Sequence, residues 1–124
     1  MASNSFSSRY YCPPLLWAVV ILVLSFLPGN KLPEVPFSGF DLFVHAMFYL
    51  VLSFFGGRFI FVFYPFAASI TLLIISFVVM SIYGVVIELI QEFFITSRTG
   101  EVKDILANTV GILLGLSATK LFYG

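Results

Sequence analysis

The stretch FIFVFYPFAASITLLIISFVVMSIYGVVIELIQEFFI, residues 59–95, decides the fold. Its 37 residues carry charge only at Glu88 and Glu92. One helix of that length would extend about 55 Å at 1.5 Å per residue, against an apolar bilayer core about 30 Å thick. Two helices would leave almost nothing for the turn between them. Pro65 offers a compromise, because proline is tolerated in the first turn of a helix. The stretch is therefore read as one helix from about Pro65 to Phe94, tilted or protruding. Residues 59–64 then form an interfacial aromatic segment. A five-helix reading, in which residues 59–64 belong to a further span, is the alternative.

Composition agrees with a membrane setting. Of 124 residues, 60% are apolar, 19% aromatic and 10% charged. A soluble domain has roughly 25% charged and roughly 45–50% apolar residues. Six basic and six acidic side chains cannot cover a soluble fold of this length. Such high hydrophobicity also excludes disorder. Net charge zero gives no basic footprint for nucleic acid. The single cysteine, Cys12, excludes an internal disulfide framework and a multi-Cys zinc site. It precedes an apolar run, whereas a lipid-modified cysteine would follow one.

Working outward, the first span is expected at about 11–27, opened by Pro13-Pro14 and stopped by Pro28-Gly29, with residues 1–10 flexible. Ser25-Phe26-Leu27 lacks a small-x-small cleavage pattern, which argues against a signal peptide. The second span is expected at 39–55. Ser38-x-x-Asp41 fits a capping box at its start, and Gly56-Gly57-Arg58 halts it. The fourth span runs over about 102–122. The fold class is thus an all-α membrane protein: a four-transmembrane-helix bundle with short loops, one domain over residues 1–124. Both termini then share one side. Arg9, Arg58 and Lys120 balance Lys31, Arg98 and Lys103, so the positive-inside rule does not choose. Termini inside is the orientation adopted.

The ionisable and amide side chains within these spans obey one rule. Asp41 opens the second span and His45 lies one turn further in. Glu88 and Gln91 occupy the last turns of the third. Asp104 opens the fourth, with Asn108 one turn in. With helices alternating in direction, all fall within roughly 10 Å of one membrane face at 1.5 Å per residue. Asp41, His45 and either Phe48 or Tyr49 share a stripe, as do Asp104, Asn108, Gly111 and Gly115. Gly111 and Gly115 form a GxxxG pair suited to close helix packing. Ionisable groups inside a bilayer are costly and point to function. Each also has a structural reading: His45 as a packing histidine, Asp41 as a cap, Asn108 as interhelical glue, Tyr49 as core. His45 with Asp41 and Glu88 could form a His–carboxylate site. Nothing resembles HExxH or a Cys cluster, so neither metal nor cofactor is expected.

Three blocks together resemble the VanZ-like family of small bacterial membrane proteins. They are Asp41-x-x-x-His45-x-x-x-Tyr49; Tyr83-Gly84 with Glu88-Leu89-Ile90-Gln91, followed by Arg98; and Asp104-Ile105-Leu106-Ala107-Asn108-Thr109-Val110-Gly111 with Gly115. The likeness covers roughly residues 14–120, and its last block is the most specific. The family usually carries Lys after the first Asp, where this chain has Leu42. That departure leaves Arg98 as the candidate partner for Asp41 or Asp104. The resemblance implies a multi-pass protein of the bacterial plasma membrane and an accessory role in resistance to glycopeptides, chiefly teicoplanin. It implies no agreed reaction.

Two functions follow as expectations. The first is a binding or accessory protein. Asp41, His45, Tyr49, Glu88, Gln91, Arg98, Asp104 and Asn108 would line an outer-leaflet polar pocket for an amphiphile: a cell-wall lipid precursor, a lipid-linked polymer or a lipoglycopeptide. Gly84, Gly111 and Gly115 would serve helix packing. The second is an intramembrane enzyme acting on such a lipid, with His45 as general base, Asp41 orienting it and Glu88 as acid. No Ser or Cys stands in a nucleophile motif, so a non-enzymatic role ranks first.

Overall fold

The computed structural model describes residues 2–26, 40–94 and 102–123. They form helix α1 (Ala2–Ser25), α2 (Phe40–Phe63), α3 (Ser69–Phe94) and α4 (Val102–Tyr123). Each holds an apolar stretch of 18 to 26 residues, long enough to cross a membrane. The protein is an all-α membrane protein built as a four-helix bundle.

Neighbouring helices alternate in direction. Gln91, near the end of α3, meets Ser25 at the end of α1, so these two run parallel. Ala46 and Leu50 near the start of α2 meet Gly111 and Gly115 of α4, while Thr119 meets Phe54 further along both helices. α2 packs against all three other helices, most extensively against α4. Glycine makes that seam: a Cβ on Gly111 would strike the Ala46 carbonyl, and one on Gly115 the Leu50 carbonyl and Ser53 hydroxyl. Backbones therefore meet without intervening side chains, as expected of the GxxxG pair. Thr119 Oγ1 donates across the seam to the Phe54 carbonyl at 3.1 Å. The core is Ile21, Tyr49, Leu52, Met80, Ile87, Ile112 and Leu116. Leu15, Leu16, Ile74, Val78, Leu106 and Leu113 face outward, where lipid replaces water as solvent.

The boundaries correct the sequence reading in three places. Helix α2 does not halt at Phe55 but runs through Gly56-Gly57-Arg58 to Phe63. The glycines are used for contact, not as breaks: Gly56 faces the Met80 side chain and Gly57 faces Thr119. Residues 59–63 are accordingly the end of α2, not an interfacial segment outside a helix. The long apolar stretch divides at residues 64–68, so Pro65 lies in the connection and α3 starts at Ser69. Helix α1 begins at Ala2, where residues 1–10 were expected to be flexible, and Pro13 and Pro14 lie inside it. Pro13 has no N–H for the Arg9 carbonyl one turn earlier. Arg58 supplies one, its guanidinium donating to that carbonyl at 2.9 Å. The added turns of α2 thus carry the donor that the added turns of α1 require.

Side chains tie α1 to the bundle at three more levels. Trp17 Nε1 donates to the Phe48 carbonyl at 2.8 Å, the Tyr83 hydroxyl to the Ala18 carbonyl, and Gln91 Nε2 to the Ser25 carbonyl at 2.7 Å.

Candidate functional site

Three helices each bring one ionisable side chain to the same level. His45 lies in the second turn of α2, Glu88 about two turns from the end of α3, and Asp104 in the first turn of α4. His45 Nε2 is 3.4 Å from Glu88 Oε1, and His45 Nδ1 is 4.0 Å from Asp104 Oδ1. The side chains are 19%, 4% and 12% exposed in that order, so the cluster is close to sealed. Each residue has a partner one turn deeper on its own helix: Tyr49 on α2, Gly84 on α3 and Asn108 on α4. These also meet. A Cβ on Gly84 would lie 3.1 Å from Asn108 Nδ2 and 3.3 Å from the Tyr49 ring. The i, i+4 spacing on three helices therefore stacks two layers, His45–Glu88–Asp104 above Tyr49–Gly84–Asn108. Gly84 makes room for the deeper pair.

Satisfaction is incomplete here. Among the described residues, Glu88 Oε2 is buried with no hydrogen-bond partner, and so are both Oδ1 and Nδ2 of Asn108. Glu88 and Asn108 are each 3% exposed. Leaving a buried polar group unmet costs about 1–3 kcal/mol, more when it is charged. Such groups call for an explanation, and a bound water, ion or ligand would each supply one.

Other predicted pocket residues are placed differently. Gln91 is 2% exposed and its amide donates to the C-terminal carbonyl of α1, a group with no donor inside its own helix. Its amide nitrogen thus links α3 to α1. Asp41 belongs to α2, one turn before His45, but its side chain lies outside those described. Arg98 and the proposed Ser38 cap lie outside the described residues. The carboxylate facing His45 Nδ1 is Asp104, where the sequence suggested Asp41. The clue was available in the equal depth of Asp104 and His45, but not in any local motif. Tyr83 was read only as part of a resemblance, yet it bonds α3 to α1.

A separate groove of about 490 Å³ lies between α3 and α4, lined by Leu73, Phe77, Leu113, Leu116 and Lys120. It sits toward the chain-terminal end of the bundle, away from the polar cluster, and is apolar apart from Ser117 and Lys120.

Neither a curated protein nor a solved structure matches the chain. A protein-family model described as VanZ/LLP1 does match, over residues 11–123. That match takes in all of α2, α3 and α4 and both layers of the cluster, and on it the chain belongs to the VanZ/LLP1 family.

Proposed function

We propose that this VanZ-family membrane protein is an accessory factor of the bacterial cell envelope that holds the polar head of an amphiphile in the cluster around His45. The ligand is a cell-wall lipid precursor, a lipid-linked polymer or a lipoglycopeptide of the teicoplanin type. The observation that carries the reading is the unmet hydrogen-bonding capacity of Glu88 Oε2 and the Asn108 amide beside His45. These groups lie near one end of the bundle, beside and below His45, which at 19% exposed is the member a head group would meet first. The greasy tail would lie against the outward apolar faces, such as Leu106 on α4. With the termini inside, the cluster opens to the outer leaflet of the plasma membrane, where such lipids and antibiotics meet the cell.

The test is teicoplanin susceptibility in a host with and without the gene. Wild type is expected to reduce susceptibility. His45→Ala, Glu88→Ala and Asp104→Ala are expected to return it to that of the host alone while the protein still accumulates in the membrane. Variants that keep the full shift would remove the site. Orientation is read separately by Arg98→Cys in a Cys12→Ser background, which should react with an impermeant thiol reagent from outside the cell.

A second reading has one observation in its favour: His45 lies between two carboxylates. Asp104 would then orient the imidazole as general base and Glu88 would act as acid. Labelled lipid-linked wall precursors separate the two. Binding without conversion supports the accessory role, and a product lost in His45→Ala supports the enzyme.

A further inference from the structure

The geometry points to a divalent-cation site in which one ring nitrogen of His45 and one carboxylate oxygen each of Glu88 and Asp104 bind a first-row ion of the Zn²⁺ class. One ligand atom from each of the three residues lies within 4.8 Å of the others. A tetrahedral ion with bonds of about 2.0–2.1 Å sets its ligand atoms about 3.4 Å apart. The observed 3.4 Å between His45 Nε2 and Glu88 Oε1 equals that edge. It is longer than the roughly 2.7–2.9 Å of a charge-assisted hydrogen bond. That separation leaves room for an ion between the two atoms.

Charge leads to the same place. An ionised carboxylate is expensive in a low-dielectric interior unless paired. Two carboxylates and one dication sum to zero. The buried Glu88 Oε2 that accepts no hydrogen bond is within reach of an ion held by Oε1 of the same group. A mixed imidazole and carboxylate set suits Zn²⁺ and its neighbours, whereas Mg²⁺ and Ca²⁺ favour all-oxygen sets. No local motif marks the ligand set, because each ligand comes from a different helix.

Three protein ligands leave at least one position of a four-coordinate ion for another donor. This deepens the proposed function and rests on it in one respect. An ion there turns an acid-rich pocket into one that accepts an anionic head group, such as the phosphate of a lipid precursor.

The experiment titrates Zn²⁺ into chelator-stripped full-length protein in detergent micelles, with thermal unfolding followed in parallel. Wild type is expected to bind one ion per chain and to melt at a higher temperature with Zn²⁺, while Mg²⁺ at the same concentration does neither. The shape-preserving Glu88→Gln and Asp104→Asn should weaken binding by more than about tenfold, a loss that even outer-shell partners can cause. Glu92→Gln, an exposed position on α3, should bind as wild type does. Helical circular dichroism and elution volume report whether each variant is folded. The wild-type titration decides by itself if a variant is not. A wild type that binds no Zn²⁺, or folded Glu88→Gln and Asp104→Asn that bind it undiminished, overturns the site. Variants that lose the ion and keep the full teicoplanin shift remove the cluster's part in the envelope role and leave the ion site. A phenotype that depends on His45 in a protein that binds no Zn²⁺ removes the ion alone.

Discussion

The two ends of the bundle treat polarity in opposite ways. At the end near the chain termini, Arg58 is spent on structure. Its guanidinium donates to the carbonyl that Pro13 leaves without an N–H and lies over the rings of Tyr10 and Phe55, 5.1 Å from each centroid. Its buried Nε has no partner among the described residues. At the other end, His45, Glu88 and Asp104 stand 3.4 and 4.0 Å apart, and a carboxylate oxygen and a whole amide are unmatched. A polar group whose task is to hold helices together finds a backbone partner at bonding distance, as Trp17, Gln91 and Thr119 also do. Glu88 Oε2 and the Asn108 amide, by contrast, are buried with no such partner among the described residues.

The largest effect expected falls on the seam that both ends share. Gly111→Leu would drive a side chain into the Ala46 carbonyl and separate α4 from α2. Backbone cannot move aside as a side chain does, so the cost lies at the upper end of overpacking, about 3 kcal/mol. The expected readout is loss of folded protein in detergent, with both ends failing together. A folded Gly111→Leu protein would mean that the seam does not hold the two ends in register.

Next comes Arg58→Met. It leaves the Arg9 carbonyl unmet and removes two ring contacts, about 1–2 kcal/mol together at this half-exposed site. Thermal unfolding in detergent should shift down while the proposed teicoplanin phenotype survives. Glu88→Gln should do the reverse: unfolding of the ion-free protein nearly unchanged, phenotype lost. Equal behaviour of the two variants would dissolve the contrast between the ends.

Much of this was legible in the sequence. Four spans, their alternation and the gathering of Asp104, His45 and Glu88 at one level follow from apolar run length and 1.5 Å per residue. The GxxxG seam was legible because small residues one turn apart have one common use in a bilayer. What was not legible depends on partners from other helices. Gly56-Gly57 reads locally as a stop, and only Met80 and Thr119 opposite reveal it as a contact. Pro13-Pro14 reads as a helix start, and only Arg58 explains how a helix continues through it. Gln91 shares a face with Glu88, yet the Ser25 carbonyl claims its amide. Helical spacing assigns a side chain to a face but does not say which neighbour waits there.

A small change in stability is also expected at Asn108, and it sharpens the comparison most. As interhelical glue, its amide would hold α4 to α3 or α2 by hydrogen bonds, and Asn108→Ala would cost 1 kcal/mol or more for each. The amide instead has neither donor nor acceptor matched, though it is 3% exposed and packed beside Gly84 and Tyr49. Removing it relieves a desolvation penalty and leaves a small void, two terms of about 1 kcal/mol and opposite sign. Asn108→Ala should therefore unfold within about 1 kcal/mol of wild type while its phenotype falls toward that of Glu88→Ala. A destabilisation above about 2 kcal/mol would return Asn108 to the helix-joining class with Trp17 and Gln91. The deeper layer of the cluster would then be scaffold, and the proposed ligand site would shrink to His45, Glu88 and Asp104.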